Sequence, residues 1–356
     1  MRFIFGSILA VSAALLTGCA YSEAGDASLA GELDMGKELI VLSAPPDGDE
    51  YYADVLDDIF TFHVQYAREI LKQDNVLILT GHDFYEDYVE ALGAENVALI
   101  EMQDIWMRDF SPLNAARPVM MRYSAAGQGG GKKGQSDADA VQDVLAEVMD
   151  AAGMRATPSD LINDGGNFVD DYAGNVVMSR KFLSDNDLSE SEGRAAVRQI
   201  TGAQHVAFID ADEQGGLEHA DGVVAFLSDN VLVINTYPDD PKYAGELTAD
   251  LKRGLPNVTI HEIITPYDGR EIYDSRFGSA CGLYTNMLVT PERIYVPQFG
   301  IPEDKIAVAD IRRWTDKTIV PVSSSGVCKM GGGVRCMSWQ TRGPEADALR
   351  RYVKGL

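Results

Sequence analysis

The chain has 356 residues, of which 46% are hydrophobic, so it is long enough to bury a sizeable core in one or two domains. It carries 55 acidic against 30 basic side chains, which gives a formal net charge of −25. This excess of acid disfavours partners such as nucleic acid and anionic membrane surfaces, and it tolerates or attracts cationic ligands. A protein surface adapted to a salty environment would have the same charge.

The first twenty residues have the pattern of an export signal. Arg2 is followed by an apolar run over residues 3–16, which is too short for a stable membrane span. The sequence Leu-Thr-Gly-Cys at residues 16–19 resembles a bacterial lipobox, which implies cleavage before Cys19 and acylation of its thiol. We expect a signal peptide over residues 1–18 and a flexible tether over residues 19–36. An ordinary signal peptide with a coincidental cysteine is the alternative.

The segment that follows alternates short apolar runs with amphipathic stretches, which is typical of an α/β protein. The predicted strands are residues 38–43, 75–79 and 97–102, and the predicted helices are residues 51–72 and 83–92. Further on, residues 124–136 are rich in glycine and lysine but lack the spacing of a phosphate-binding Walker loop. We predict a mobile surface loop there.

From residue 97 onward, a strand, a polar or glycine-rich stretch and a second strand recur five times. One polar residue from each stretch gives Asp109, Asn167, His219, Asn286 and Cys336, spaced 58, 52, 67 and 50 residues apart. A recurring period of about 50 residues suggests blades around an axis. All five polar stretches would then meet at one end of that axis, where a site can collect residues from the whole chain.

Two of these stretches carry residue types suited to catalysis. Cys336 follows three glycines, which let a ligand approach the backbone, and the adjacent Arg335 would favour its thiolate. A buried structural cysteine is the alternative. His219 and Asp221 would face the same side if they lay on a strand. None of the other histidines has a spacing that completes a zinc site, so no metal is expected.

Five motifs in order carry a resemblance to a known family. WMRDFSP, DGGN, HAD, YTNMLVTPERIYVPQFG and GGGVRC resemble motifs of the agmatine deiminase and Porphyromonas-type peptidyl-arginine deiminase family, within the guanidine-modifying pentein superfamily. The resemblance implies a five-bladed, pseudo-symmetric α/β propeller, with residues 37–356 as one catalytic domain. It also implies hydrolysis of a guanidinium substrate with release of ammonia, without a metal or organic cofactor.

The resemblance further implies roles for individual residues. Cys336 would attack the guanidinium carbon, and His219 would protonate the departing ammonia and then activate water. Asp109 and Asp221 would each bind guanidinium N–H groups. Further contacts around the substrate are expected from Trp106, Asp164, Asn167, Asn286 and Arg335.

Two positions depart from the family pattern. Arg335 stands where the family usually has His, and Glu218 where it usually has Gly. If Arg335 faced the pocket, it would receive a substrate carboxylate and oppose a dication such as agmatine. Export also favours external arginine, because agmatine deiminases are usually cytoplasmic enzymes of polyamine synthesis. The motifs leave agmatine, free arginine and peptidyl arginine open.

The four cysteines allow one further expectation. Cys281 and Cys328 fall in the fourth and fifth polar stretches, which are neighbours in the implied ring, and we predict a disulfide between them. With Cys19 acylated, Cys336 would be the only free thiol of an exported protein.

Two other functions are compatible with these features. A non-catalytic lipoprotein could use the same acidic pocket to bind polyamines or arginine-like cations, and a Cys-His pair also occurs in proteases and amidases. For the deiminase, the expected partners are a small-molecule or peptide guanidinium substrate and, through the N-terminal lipid only, a membrane on the periplasmic or cell-surface side.

Overall fold

The structure is a computed structural model that describes residues 37–114, 117–212 and 216–356. The expected signal peptide, Cys19 and the tether lie outside the described residues. The strands are β1 (Leu39–Ser43), β2 (Asn75–Thr80), β3 (Val97–Leu99), β4 (Val119–Arg122), β5 (Thr157–Ile162), β6 (Val169–Asp170), β7 (Asn175–Ser179), β8 (His205–Ile209), β9 (Val224–Ser228), β10 (Val231–Asn235), β11 (Thr259–Ile263), β12 (Leu288–Val289), β13 (Arg293–Gln298), β14 (Thr318–Ser323) and β15 (Trp339–Thr341).

Helices connect many of these strands. They are α1 (Leu56–Leu71), α2 (His82–Leu92), α3 (Met107–Phe110), α4 (Gly131–Ala152), α5 (Lys181–Asp185), α6 (Glu190–Thr201), α7 (Pro241–Gly254), α8 (Glu303–Trp314) and α9 (Gly343–Lys354). In the described part of the chain, no helix combines the length and the apolar character needed to cross a membrane.

The strands form five sheets that share one plan. In β6-β7-β8, β9-β10-β11 and β12-β13-β14, the first strand pairs antiparallel with the second, and the second pairs parallel with the third. In the sheet of β4 and β5, an antiparallel bridge between Leu113 and Val119 takes the place of the first strand. These five sheets are the blades of the predicted α/β propeller, and the predicted fold class is confirmed.

Both ends of the described chain contribute to the fifth blade. β15 pairs antiparallel with β1, with Leu39 opposite Thr341, and β1 pairs parallel with β2. All five residues of β1 are buried, as expected for a central strand of a sheet covered on both faces. The ring of blades is therefore closed by contacts between residues at opposite ends of the sequence.

Amphipathic helices pack against the sheets. α1 presents Ile59, Phe62 and Tyr66 at helical spacing, and these side chains join Ile78 and Val320 in one hydrophobic cluster. Complete burial of a large apolar side chain contributes about 1.5–3 kcal/mol to stability. The hydrophobic clusters lie between helices and sheets, which leaves the turns before the blades to carry polar residues.

The predicted elements near the N-terminus are confirmed, with shifts of a few residues at their ends. One prediction is wrong, because the second half of the predicted surface loop is helical and α4 begins at Gly131. The helix buries Ala138, Val141 and Leu145 at positions i, i+3 and i+7. This buried stripe offsets the low helix propensity of the glycines in its first turns.

The predicted disulfide between Cys281 and Cys328 is confirmed. Cys281 belongs to a long segment without helix or strand between β11 and β12, and Cys328 begins a short 3-10 turn before Cys336. A backbone hydrogen bond from Ala280 N to Cys328 O, 2.8 Å long, lies beside the disulfide. Among the described residues, Cys336 is the free cysteine, and it is buried.

We expect this disulfide to contribute about 2–4 kcal/mol to the free energy of unfolding, because it restricts the unfolded chain. Urea unfolding of the double variant Cys281→Ser/Cys328→Ser, compared with the unreduced wild type, measures the loss. Dithiothreitol is the matched control, since it should destabilise the wild type and leave the double variant unaffected. Equal stability of oxidised and reduced wild type would contradict the expectation.

Candidate active site

The five polar residues selected by the repeat each lie in a short turn just before the first strand of a blade. They are Asp109 in α3, Asn167 in the 3-10 turn Gly165–Asn167, His219 before the 3-10 turn Ala220–Gly222, Asn286 before β12 and Cys336 before β15. Backbone hydrogen bonds join neighbouring turns, from Arg108 N to Cys336 O at 3.1 Å and from Arg335 N to Asn286 O at 3.3 Å. The turns therefore meet at one end of the propeller.

A cavity of about 860 Å³ opens where the turns meet. Six of the predicted site residues line it: Trp106, Asp109, His219, Asp221, Asn286 and Cys336. The other three, Asp164, Asn167 and Arg335, are buried but do not line it. Within the described ranges, no three His, Cys, Asp or Glu side chains are grouped so that they could hold a metal ion.

The imidazole of His219 lies between two buried carboxylates. Its Nε2 is 3.0 Å from Asp164 Oδ2, and its Nδ1 is 3.7 Å from Asp109 Oδ1. Burial opposes the charged imidazole, but the carboxylates of Asp109, Asp164 and Asp221 outweigh burial and raise the pKa of His219 to about 10. His219 is therefore an imidazolium at neutral pH, and Nδ1 is the nitrogen that Asp164 leaves available.

The two carboxylates beside His219 differ in their environment. Burial tends to raise the pKa of Asp164, but hydrogen bonds from His219 and Ser124 hold it below its usual value. Burial also raises the pKa of Asp109. The positive charge of His219 lowers this pKa, and the negative charges of Asp164 and Asp221 raise it further. Asp109 accepts one backbone hydrogen bond, from Gly166 N at 3.0 Å. The negative charge of Asp109 is thus less compensated by its neighbours than that of Asp164, and Asp109 lines the cavity.

The thiol of Cys336 contacts an amide and a carboxylate. Asn286 Nδ2 donates to its Sγ at 3.0 Å, and Asp221 Oδ2 lies 4.0 Å from Sγ. Burial, followed by the charges of Asp221 and Asp109, raises the pKa of the thiol well above its usual value, although Asn286 and Arg335 act in the opposite direction. Arg335 thus acts on the thiol in the expected direction, but the lowered pKa expected for Cys336 is not found, because burial and the carboxylates outweigh one cation.

Arg335 is turned away from the cavity. Its guanidinium donates to Asp221 Oδ2 at 2.6 Å, to Phe168 O at 2.6 Å and to Gly165 O at 3.4 Å. It therefore compensates the charge of Asp221 from behind and joins the turn of Cys336 to the turns that carry Asn167 and Asp221. The predicted contact between Arg335 and a substrate carboxylate does not fit this position, and neither does the predicted repulsion of a second positive charge.

Two glycines of the motifs are required by close approach of other groups. A Cβ on Gly166 would lie 2.3 Å from His219 Nδ1 and 2.9 Å from Asp109 Oδ1. A Cβ on Gly332 would lie 2.5 Å from the ring of Trp106 and 2.8 Å from Cys336 Cβ. Any larger residue at these positions would displace the imidazole, the carboxylate or the thiol.

Asp164 and Asn167 hold other groups in place and do not face the cavity. Asn167 Oδ1 accepts a hydrogen bond from Ser179 N at 2.6 Å. Asp164 accepts two from Ser124, through its backbone N–H and its hydroxyl, each at 2.8 Å. The sequence motifs did not reveal Ser124. The available signal in the sequence was its position just after β4, a strand that leads to the end of the propeller where the polar turns were predicted to meet.

The interpretation of His219 and Asp221 as residues i and i+2 of a strand is wrong. Residues 220–222 form a 3-10 turn, and both side chains reach the cavity from this turn. The preceding Glu218 has a φ of +53°. The left-handed region costs a residue with a Cβ roughly 1–2 kcal/mol, so a glycine would fit this position without strain.

Comparisons with known proteins agree with this arrangement. The family described as "Porphyromonas-type peptidyl-arginine deiminase" matches residues 34–341. An Enterococcus faecalis protein provisionally named agmatine deiminase is 23% identical over 57% of this chain, and the match spans only 62% of that relative. A Streptomyces avermitilis protein with the same provisional name is 23% identical over 77% of this chain and 85% of its own length.

A solved structure of similar fold extends this likeness. The agmatine deiminase of Enterococcus faecalis superposes with a TM-score of 0.69 at 18% identity, covering 86% of this chain and 94% of that one. At this identity the likeness concerns the fold alone. The resemblance drawn from the five motifs is confirmed by the family match.

The position of His219 between carboxylates predicts a pH-dependent contribution to stability. Its folded pKa of about 10 exceeds the ordinary value of 6.5, so the protonated ring stabilises the fold fully below about pH 6.5. This contribution is lost as the pH rises through about 10. NMR titration of the ring should show imidazolium at about pH 8, where a free histidine is neutral. The variant Asp164→Asn should titrate lower, and a wild-type midpoint near 6.5 would contradict the assignment.

Proposed function

The chain belongs to the Porphyromonas-type peptidyl-arginine deiminase family, and from this premise we propose that it hydrolyses the guanidinium group of a substrate and releases ammonia. The observation that supports this most directly is the convergence of Cys336, His219, Asp109 and Asp221 on one cavity. Agmatine appears in the names of the relatives and arginine in the name of the family, and both compounds carry a guanidinium group.

Asp109 and Asp221 bind the guanidinium. Each carboxylate can accept paired N–H groups from the planar cation, and together they fix its orientation. Asp221 lies 4.0 Å from Cys336 Sγ, so a guanidinium bound there presents its carbon to the sulfur. Trp106 packs near Cys336 across Gly332 and is placed to cover the alkyl stem of the substrate.

The bound cation also activates the nucleophile. Burial and the carboxylates of Asp221 and Asp109 raise the pKa of the Cys336 thiol. A guanidinium between these carboxylates compensates their charge and lowers the pKa of the thiol, so the thiol loses its proton to solvent and becomes a thiolate when substrate is present. The enzyme is thereby protected from reactions of a permanent thiolate with other electrophiles.

His219 supplies the proton for the first step and removes one in the second. The thiolate forms a bond to the guanidinium carbon, His219 donates its Nδ1 proton to the departing nitrogen, and ammonia leaves a Cys336 thiouronium. The neutral imidazole then takes a proton from water as the oxygen attacks the same carbon. The C–S bond breaks, the second proton of the water passes to solvent, the thiolate is restored, and the product is a ureido compound.

Replacement of the nucleophile tests this proposal. We expect Cys336→Ala to lower ammonia release from agmatine or from arginine substrates by at least about a thousandfold, because no other described thiol is free. The matched control is Ser179→Ala, which removes a buried hydroxyl that has no hydrogen-bond partner among the described residues. Equal turnover by Cys336→Ala and the wild type would exclude the mechanism. Binding of these compounds by the wild type without turnover would favour the non-catalytic alternative.

We also propose that the mature protein is exported and anchored to a membrane by lipid on Cys19. The support is the apolar run over residues 3–16 followed by Leu-Thr-Gly-Cys. Metabolic labelling with an alkyne fatty acid should label the wild type and the Cys336→Ala variant, and Cys19→Ser should remove the label and release the protein from the membrane fraction. Label that persists in Cys19→Ser would refute the anchor.

A further inference from the structure

Arg335 is a buried cation that has no part in the bond-making steps of the proposed mechanism. It directly precedes the nucleophile in sequence, only 8% of its surface is exposed, and it does not line the cavity. Burying a guanidinium is costly unless acceptors and an opposite charge compensate it, so its partners are informative.

The first partner is the carboxylate of Asp221. Arg335 Nη1 donates to Asp221 Oδ2 at 2.6 Å, and the same oxygen lies 4.0 Å from Cys336 Sγ. Among the residues that the structure describes, no other N–H group donates to this carboxylate. The hydrogen bond therefore fixes how the carboxylate is rotated, and Oδ1 remains available to a guanidinium in the cavity.

The other two partners are backbone carbonyls of the turn that supports Asp109. Arg335 Nη2 donates to Phe168 O at 2.6 Å, and Nη1 donates to Gly165 O at 3.4 Å. The next residue, Gly166, donates its N–H to Asp109 Oδ1 at 3.0 Å. One planar guanidinium thus connects the turn that holds Asp109 to the other guanidinium-binding carboxylate.

The backbone of Arg335 is held in place as well. Its N–H donates to Asn286 O at 3.3 Å, and its carbonyl accepts from Ser338 N at 3.0 Å. The side-chain amide of Asn286 in turn donates to Cys336 Sγ at 3.0 Å. The guanidinium therefore cannot move far unless the turn of the nucleophile moves with it.

Arg335 also acts on the charge of the nucleophile. The titratable and charged groups around the thiol are Asp109, His219, Asp221 and Arg335. Burial and the carboxylates raise the pKa of the Cys336 thiol, whereas Arg335 lowers it. Because Arg335 compensates Asp221 by direct contact, its loss would leave an uncompensated negative charge 4.0 Å from the sulfur.

We propose that Arg335 is a positioning residue of the reaction, which orients the Asp221 carboxylate and fixes its separation from the turn of Asp109 and from Cys336 Sγ. This inference rests on the proposed function, which assigns these groups to guanidinium binding and attack. Arg335 acts through two properties. Its charge compensates Asp221, and its fork of N–H donors spans three acceptors on two turns.

Alkylation of Cys336 by iodoacetamide tests the effect of the charge without any turnover. In the full-length protein at about pH 8, alkylation followed by peptide mass spectrometry should be about tenfold slower in Arg335→Met than in the wild type, because less of the thiol is ionised. Arg335→Lys keeps the charge and should recover most of the rate. Unchanged or faster alkylation in Arg335→Met would overturn the proposal.

The matched control is Arg108→Met, because Arg108 is a second buried cation that lies next to Arg335. It is 6% exposed, and it donates to Arg335 O at 3.5 Å and to Gln340 Oε1 at 2.9 Å. Its replacement should destabilise the fold but slow the alkylation of Cys336 less than Arg335→Met does. Equal slowing in the two variants would contradict a specific role of Arg335.

Steady-state kinetics of Arg335→Lys test the geometry separately from the charge. With agmatine or free arginine, whichever the wild type hydrolyses, we expect kcat/KM to fall at least about tenfold through a higher KM and a lower kcat, because a single ammonium cannot span the acceptors on both turns. Wild-type values of kcat and KM in Arg335→Lys would refute the positioning role. If the wild type hydrolyses neither compound, the proposed function fails, and the alkylation rates still test the coupling of Arg335 to the thiol.

Discussion

Uncompensated negative charge at the polar end of the propeller governs the rest of the site. Asp164 is paired with His219 and Asp221 with Arg335, whereas Asp109 has one backbone hydrogen bond and a more distant imidazolium. An unpaired buried charge destabilises a fold by several kcal/mol. His219 and Arg335 compensate Asp164 and Asp221, and Asp109 lines the cavity, where a cationic ligand can compensate its charge. The same field keeps the thiol protonated until such a ligand arrives.

The sequence made the blades and the convergence of the five turn residues predictable, because each of these residues sits at the same place in a repeated strand pattern. It could not predict the direction of Arg335. That side chain is held by carbonyls of Gly165 and Phe168, far away in sequence, and no local pattern encodes them. The contact of Ser124 with Asp164 is hidden for the same reason. The strand assigned to His219 and Asp221 failed because a 3-10 turn can present both side chains to one cavity.

The blades and the cavity wall depend on different kinds of interaction. Paired strands and buried apolar clusters hold the blades together. The long segment between β11 and β12 contributes Pro266, Phe277 and Ala280 to the wall, yet it contains no helix or strand. The disulfide, backbone hydrogen bonds and side-chain hydrogen bonds such as that from Tyr51 to Asp274 hold its first part, and Tyr284 and Met287 near its end are buried in a hydrophobic cluster. Residues that contact a substrate can vary in the first part of this segment, whereas its end carries Asn286, which donates to Cys336 Sγ.

The pairing of β1 with β15 has a consequence for the order of synthesis. A ribosome makes β1 first, and this strand lacks its antiparallel neighbour until residues 339–341 have emerged. Cys336 is also the last of the five turn residues to be made. A nascent chain can form four blades in succession, but it has neither a closed ring nor a nucleophile until nearly the whole polypeptide is complete. A polypeptide whose synthesis stops before Cys336 therefore lacks the nucleophile of the proposed reaction.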